Sequence, residues 1–192
     1  LENHSAILET YPWDKVAEDG CVTPDLDGRW FVAHVTSHSG IKNVFRGRFE
    51  HNIDDKGRIA VPARFRDLLL GSADTATLVI TNSEHCLAAY SLSEWEKLEA
   101  RVAELPQFDP KIAAFKRIFI GCAQECPIDR SGRILIPADL RRDSKIEREC
   151  VLIGQLTKFE IWSAERWNLM FNTASDQFTA LAQSLAERGI NL

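Results

Sequence analysis

The chain has 192 residues, 45% of them hydrophobic and 27% charged, with a formal net charge of -5. That length holds one ordinary domain or two small ones with enough chain for a real core, and the composition excludes disorder throughout. No apolar run nears the roughly 20 residues that span a bilayer, and the opening LENHSAILET lacks the basic and long apolar regions of a secretory signal.

Taken in chain order, residues 1–43 hold seven acidic and three basic side chains, so much of the acidic excess is concentrated there. Val22-Thr23-Pro24-Asp25 and Asp27-Gly28 read as turn-rich pieces, and Asp25-x-Asp27-Gly28 lacks the rest of a calcium loop. Phe45–Asn52 is strand-like, Asp54-x-x-Gly57-Arg58 is turn chemistry, and Arg58–Val61 is a short β-branched strand. Pro62 ends that strand and suits the first helical position of a helix that uses Phe65, Leu68 and Leu69. Leu78–Thr81 and Cys86–Tyr90 read as strands. Ser93 and Glu96 form a capping-box pattern for a helix with Trp95, Leu98, Val102 and Leu105 on one face. Asp109-Pro110 opens another helix carrying Ile112, Phe115 and Phe119. Arg133–Ile136, Val151–Ile153 and Phe159–Trp162 read as further strands, and Pro137 repeats the role of Pro62. The stretch from Ala164 to about Arg188 places Trp167, Met170, Phe171, Phe178, Leu181 and Leu185 on one helical stripe.

An internal repeat underlies that order. Residues 53–63 and 128–138 share the pattern I-D-x-x-G-R-I-x-[VI]-P-A at an offset of 75, with seven of eleven positions identical. Tyr90–Trp95 matches Trp162–Trp167 at an offset of 72, as a loop shorter by three residues would give. The unit β-turn-β-α-β-β-α therefore occurs twice. Two copies are too few for a solenoid, so pairing into one pseudo-symmetric domain is the simplest way to bury both apolar faces.

The chemistry of the repeat centres on two Asp-x-x-x-Arg pairs, Asp54/Arg58 and Asp129/Arg133. Each Asp can cap its turn and pair with the Arg across it. Basic groups collect around each turn: Arg46, Arg48, Lys56, Arg58, Arg64 and Arg66 in the first copy, and Arg130, Arg133, Arg141, Arg142 and Lys145 in the second. Arginine suits bidentate contact with phosphate and with the guanine edge, so two matched basic edges fit a DNA groove. A solvated strand edge guarded by charge is the bland alternative. An aspartic dyad is disfavoured, because an Arg four residues on keeps each carboxylate ionised. Five scattered cysteines (Cys21, Cys86, Cys122, Cys126, Cys150) read as reduced thiols of a cytoplasmic protein; none stands at ligand spacing from a histidine, so no metal, cofactor or catalytic role is expected.

Val44-Phe45-Arg46-Gly47, the twin D-x-x-x-R turns, the GRI-x-[VI]-PA strands and Ile161-Trp162…Glu165-Arg166-Trp167 closely resemble the MraZ family of bacterial transcriptional regulators, over about residues 44–175. The resemblance implies an α+β fold of two SpoVT-AbrB-like modules, which form a swapped-hairpin β-barrel with peripheral helices. On that reading 44–95 is the first module, 96–117 the linking helices, 118–165 the second module and 166–192 the C-terminal helix. It further implies a repressor of the division and cell-wall gene cluster, its own gene included. Such a protein is cytoplasmic and nucleoid-associated. It assembles into ring-shaped homo-oligomers and binds short G-rich direct repeats in double-stranded promoter DNA, with no membrane or small-molecule partner. Carried over by motif, Arg58 and Arg133 contact DNA, while Asp54 and Asp129 set the turn and the geometry of the Arg; Gly57 and Gly132 are structural by their turn chemistry. Arg46, Arg48, Lys56, Arg64 and Arg130 are further DNA-binding candidates.

Residues 1–43 have no counterpart in the repeat or in the family pattern. The expectation is that they form an N-terminal extension outside the native fold, with Val44 as an initiator read from a GTG codon; a genuine acidic tail that competes for the basic edge is the alternative.

Overall fold

Local chemistry decides where each element begins and ends, and the repeat decides what each strand pairs with. A computed structural model describes residues 21–24, 30–33, 44–70, 76–106 and 108–190. The chain forms two units, 1–43 and 44–192. In the first, β1 (Cys21–Pro24) and β2 (Trp30–Ala33) pair antiparallel, so Val22–Pro24 is strand where turn was expected. Its β-branched residues fit a ladder better than a turn. Asp25, Asp27 and Gly28, with the rest of the acidic excess, lie outside the described residues.

The second unit follows the predicted order twice. The first copy runs β3 (Arg48–Asn52), β4 (Arg58–Ala60), α1 (Ala63–Leu70), β5 (Thr77–Asn82), β6 (Leu87–Ser91) and α2 (Leu92–Ala103). Next come α3 (Pro110–Phe115) and a π-helical turn over Lys116–Ile120. The second copy runs β7 (Gln124–Pro127), β8 (Arg133–Leu135), α4 (Ala138–Asp143), β9 (Glu149–Gln155), β10 (Lys158–Ser163), α5 (Ala164–Asp176) and α6 (Phe178–Ala186). No helix among the described residues is long and apolar enough to cross a membrane.

The two copies interleave in antiparallel sheets. Six strands form one sheet in the order β3-β9-β10-β6-β5-β7, and β4 pairs with β8 in a separate ribbon. The six-stranded order reads the same from either edge once the copies are exchanged. The register keeps the symmetry: His51 faces Cys150 across β3 and β9, and Leu78 faces Cys126 at the equivalent place across β5 and β7. In the ribbon, Arg58 faces Leu135 and Ala60 faces Arg133.

Strand alternation then separates two faces of the large sheet. The inner face presents Phe49, Leu78, Ile80, Leu87, Ala89, Leu152, Phe159 and Ile161 to a core shared by both copies, closed by Ile59 and Ile134 of the ribbon and by Phe65 and Leu140 of α1 and α4. Phe65 packs edge-on against Phe45 and Phe49 at centroid distances of 5.2 and 5.1 Å. The outer face is covered by helices: α2 and the π turn lie over the first copy's strands, and α5 lies over β9 and β10.

Three expectations about helix ends change. Ser91, not Ser93, caps α2 by accepting from the Glu94 amide, and Ser163 caps α5 the same way through Arg166. The helix starts as soon as the strand ends, which places the cap on the last strand residue. Pro62 and Pro137 precede their helices by one residue instead of opening them. The C-terminal stripe is two helices, broken at Gln177.

Candidate nucleic-acid interface

The two Asp-x-x-x-Arg turns are built alike. Asp54 Oδ1 accepts the backbone N–H groups of Lys56 and Arg58 at 3.0 and 2.9 Å. Its Oδ2 accepts from Arg58 Nε at 2.8 Å and lies 2.7 Å from Arg58 Nη2. Asp129 repeats the pattern, with Ser131 and Arg133 amides at 2.8 and 2.9 Å and the Arg133 Nε and Nη2 both at 3.2 Å. One short carboxylate thus satisfies the turn's backbone donors and clamps the arginine that follows. Gly57 and Gly132 close the turns at φ +83° and +73°, where a side chain would be strained.

The clamps also set the charges. The Arg58 guanidinium and the surrounding donors hold the Asp54 carboxyl down at about 2. The Arg133 amide, then its other donors, lower the Asp129 carboxyl as well. Both carboxylates are therefore ionised at neutral pH and share no proton. The clamp engages Nε and Nη2 of each arginine, which leaves Nη1 protons for a ligand.

The two turns are laced into one surface. The Val61 amide donates to Gly132 O at 2.9 Å and the Ile136 amide to Gly57 O at 3.0 Å, so each turn is held by the other copy. Arg133 Nη1 also reaches to 3.9 Å from Asp54 Oδ2. Outward from the ribbon point Arg58 and Arg133, while Ile59 and Ile134 point into the core. Side-chain exposure of 32% for Arg58 and 33% for Arg133 leaves each guanidinium reachable yet fixed.

Of the other candidates, Lys56 and Arg130 sit exposed in the two turns, and Arg64 sits exposed at the start of α1. Arg46 and Arg48 are not brought to this surface. Arg48 faces away from the core, pairs with Glu50 at 2.7 Å and lies 5.5 Å from the Trp167 ring centroid under α5. Arg46 follows Phe45, which bridges to Leu156, at the end of β3 far from the Asp54 turn. Among the described residues no cluster of His, Cys, Asp and Glu could hold a metal. Burial pushes the Cys86 and Cys150 thiols up to about 12 and Cys126 up to about 11, so these three stay protonated and unreactive.

A family model described as "MraZ protein, putative antitoxin-like" matches residues 44–118 and again 119–189. The chain belongs to the MraZ family. It is 44% identical over 147 residues to the transcriptional regulator MraZ of Acidithiobacillus ferrooxidans, covering 72% of this chain and 97% of that protein. The transcriptional regulator MraZ of Thermoanaerobacter pseudethanolicus is 42% identical over 147 residues, covering 77% of this chain and all of that protein. That of Syntrophobacter fumaroxidans is 40% identical over 149 residues, covering 78% and 99%. MraZ proteins are transcriptional regulators and not enzymes.

Two arginines that motif reasoning left out of the site belong to the MraZ turn surface. The Arg141 guanidinium lies 3.0 Å from where a Cβ on Gly57 would be, and Arg66 fills the matching space over Gly132. Arg141 is steadied by its Nε, which donates to Ile136 O at 3.2 Å. Each glycine therefore makes room for an arginine from the opposite copy. The signal was available, because Arg66 and Arg141 keep the same offset of 75 as Arg58 and Arg133.

Proposed function

We propose that this chain is a sequence-specific DNA-binding repressor that reads promoter DNA with the outer face of the β4–β8 ribbon and its two turns. The observation that carries this is a matched set of four arginines: Arg58 and Arg133 on the two-stranded ribbon, clamped by carboxylates, with Arg66 of α1 and Arg141 of α4 seated over the glycines of its turns. A major groove admits a two-stranded ribbon and offers guanine O6 and N7 to arginine. Lys56, Arg130 and Arg64 lie where they add phosphate contacts; Gly57 and Gly132 keep the turns low, and Asp54 and Asp129 orient the arginines. Arg46 and Arg48 have weaker claims, because they lie away from the turns. The acidic net charge does not oppose this, since residues 44–70 and 117–145 each carry six basic and four acidic groups.

The exchange of strands between copies supports a swapped-hairpin barrel of the SpoVT-AbrB type, with modules at 44–95 and 118–165, linking helices at 96–117 and a C-terminal helical segment at 166–192. In this reading the chain works in the cytoplasm at the nucleoid, without cofactor or metal, as a ring-shaped homo-oligomer. Each subunit reads a few bases of a G-rich direct repeat, and avidity across repeats supplies the rest. The targets are its own promoter and the division and cell-wall cluster.

Fluorescence anisotropy of the full chain on the duplex upstream of its own coding sequence, against a scrambled duplex, tests the reading. Preference for the native duplex, with affinity falling steeply as salt rises, supports it. No binding at low salt overturns it.

A further inference from the structure

The ribbon is symmetric where it holds arginine and asymmetric where it does not. Four side chains point outward from β4 and β8: Arg58, Ala60, Arg133 and Leu135. The pseudo-two-fold relation maps Arg58 onto Arg133, but it maps Ala60 onto Leu135. Leu135 is 54% exposed, and among the described residues it is the exposed large apolar side chain of this ribbon and its turns. Its cross-strand neighbour is Arg58. Among the described residues nothing calls for an apolar group there: the core side of the same strand is already closed by Ile134, and Ile136 just beyond it is buried as well. Ala60, at the equivalent place, shows that a single methyl group satisfies the ribbon.

A large apolar side chain exposed beside a clamped arginine suits a surface that offers an apolar group beside a hydrogen-bonding edge. The major groove displays one such group, the C5-methyl of thymine. Directly opposed side chains in an antiparallel pair have Cβ atoms about 4.5–5.5 Å apart. Base pairs stack about 3.4 Å apart along a strand. A leucine opposite Arg58 thus falls within about one or two base steps of whatever Arg58 contacts, close enough for a four-carbon side chain to meet a methyl.

We infer that Leu135 is a specificity-determining residue that packs against a thymine C5-methyl next to the base read by Arg58, and that no such contact forms beside Arg133. This rests on the DNA-binding reading above. The consequence is polarity. A face with identical halves would bind a two-fold symmetric site, whereas this face reads guanine plus thymine with one half and guanine with the other. Other positions break the symmetry on the same surface: Lys56 against Ser131, Asp55 against Arg130, and Arg64 against Asp139. A subunit of this kind recognises a non-palindromic element in one direction, which is what a row of direct repeats presents.

The test compares two duplexes of the same upstream sequence, one with thymine and one with deoxyuridine at every thymine position. Deoxyuridine pairs identically and lacks the C5-methyl. The full chain is titrated by anisotropy as wild type, Leu135→Ala and Ala60→Leu, with circular dichroism as a check on folding; the exposure of Leu135 predicts an unchanged spectrum. Wild type is expected to lose about fourfold in affinity for each contacted methyl removed. Leu135→Ala is expected to bind the thymine duplex more weakly by the same factor and to be indifferent to deoxyuridine. Ala60→Leu is expected to be at least as sensitive as wild type. Equal losses on deoxyuridine for wild type and Leu135→Ala overturn the inference, and so does a wild type that loses nothing. Failure of wild type to bind the thymine duplex at low salt instead overturns the DNA reading on which the inference rests.

Discussion

The two faces of the large sheet have followed different rules. On the inner face the copies match in kind: Leu87 and Ala89 of β6 stand where Phe159 and Ile161 stand in β10, all fully buried in one core. On the outer face they diverge. Ala88 in the first copy corresponds to Glu160 in the second, a buried carboxylate that pairs with Lys158 at 3.0 Å and accepts from Trp162 Nε1 at 2.9 Å. The helices above diverge too. In the first copy Trp95 of α2 is stacked against Phe119 of the π turn at 5.6 Å, and Phe119 against Phe115 at 5.0 Å. In the second copy the equivalent Trp167 of α5 meets Arg48 and Phe171, while Phe178 and Leu181 of α6 remain exposed. The difference is instructive. A residue on the inner face touches both copies, so changing it disturbs the whole pseudo-symmetric core. A residue on the outer face touches one helix and can change alone.

The sharpest way to break this comparison is through the shared core. Phe65→Ala removes a fully buried ring that contacts both Phe45 and Phe159, and should destabilise the 44–192 unit by about 3–5 kcal/mol. Denaturant unfolding of that unit should still show one transition; two transitions would mean that the copies hold separate cores.

The turn surface is the second place where the copies should behave alike. Arg58→Ala and Arg133→Ala should each weaken DNA binding by about 1–3 kcal/mol with an unchanged circular dichroism spectrum. A large difference between the two would show that one turn alone reads DNA.

The outer face should instead be unequal. Phe119→Ala strips the cover from Trp95 and should cost about 1–2 kcal/mol, whereas Phe171→Ala, at a more exposed site, should cost less than about 1 kcal/mol. Thermal melting of the two variants, compared side by side, checks the order.

The smallest effect concerns pH. Asp54 titrates at about 2 in the folded chain against 3.8 for an ordinary aspartate. A carboxyl depressed on folding contributes stability above its unfolded pKa and loses it as pH falls through the folded value. The Asp54 contribution is thus complete above about pH 4 and lost on the way down to about pH 2. The melting temperature of Asp54→Asn should therefore fall less steeply over that range than that of wild type. Parallel profiles would show that the clamp adds nothing to folding.

The geometry of the two turns is legible in the sequence. Asp54-x-x-Gly57-Arg58 and its repeat at Asp129 specify their own turns, because the hydrogen bonds that build them span at most four residues. The missed cap illustrates a local limit: Ser91 and Ser93 are both good caps, their Oγ atoms lie 3.2 Å apart, and only the end of the strand decides between them. The break at Gln177 carries no glycine or proline to announce it. Charge alone makes Arg48 a DNA candidate but does not give its direction; its strand turns it toward Trp167, and that orientation depends on which neighbour β3 pairs with.

The sequence by itself determined that there are two copies, where the two Asp-x-x-x-Arg turns and most strands of 44–192 lie, and which arginines recur with matched spacing. Those features depend on side-chain alternation and on contacts within a few residues. Only the tertiary structure decided that β3 pairs with β9 and β5 with β7, that Arg66 and Arg141 cross to the opposite turn, and that Leu135 stands exposed beside Arg58. The physical reason is the repeat itself. Two similar units carry similar strand edges, so pairing within a copy and pairing between copies satisfy the same local patterns, and the burial of one common core selects between them.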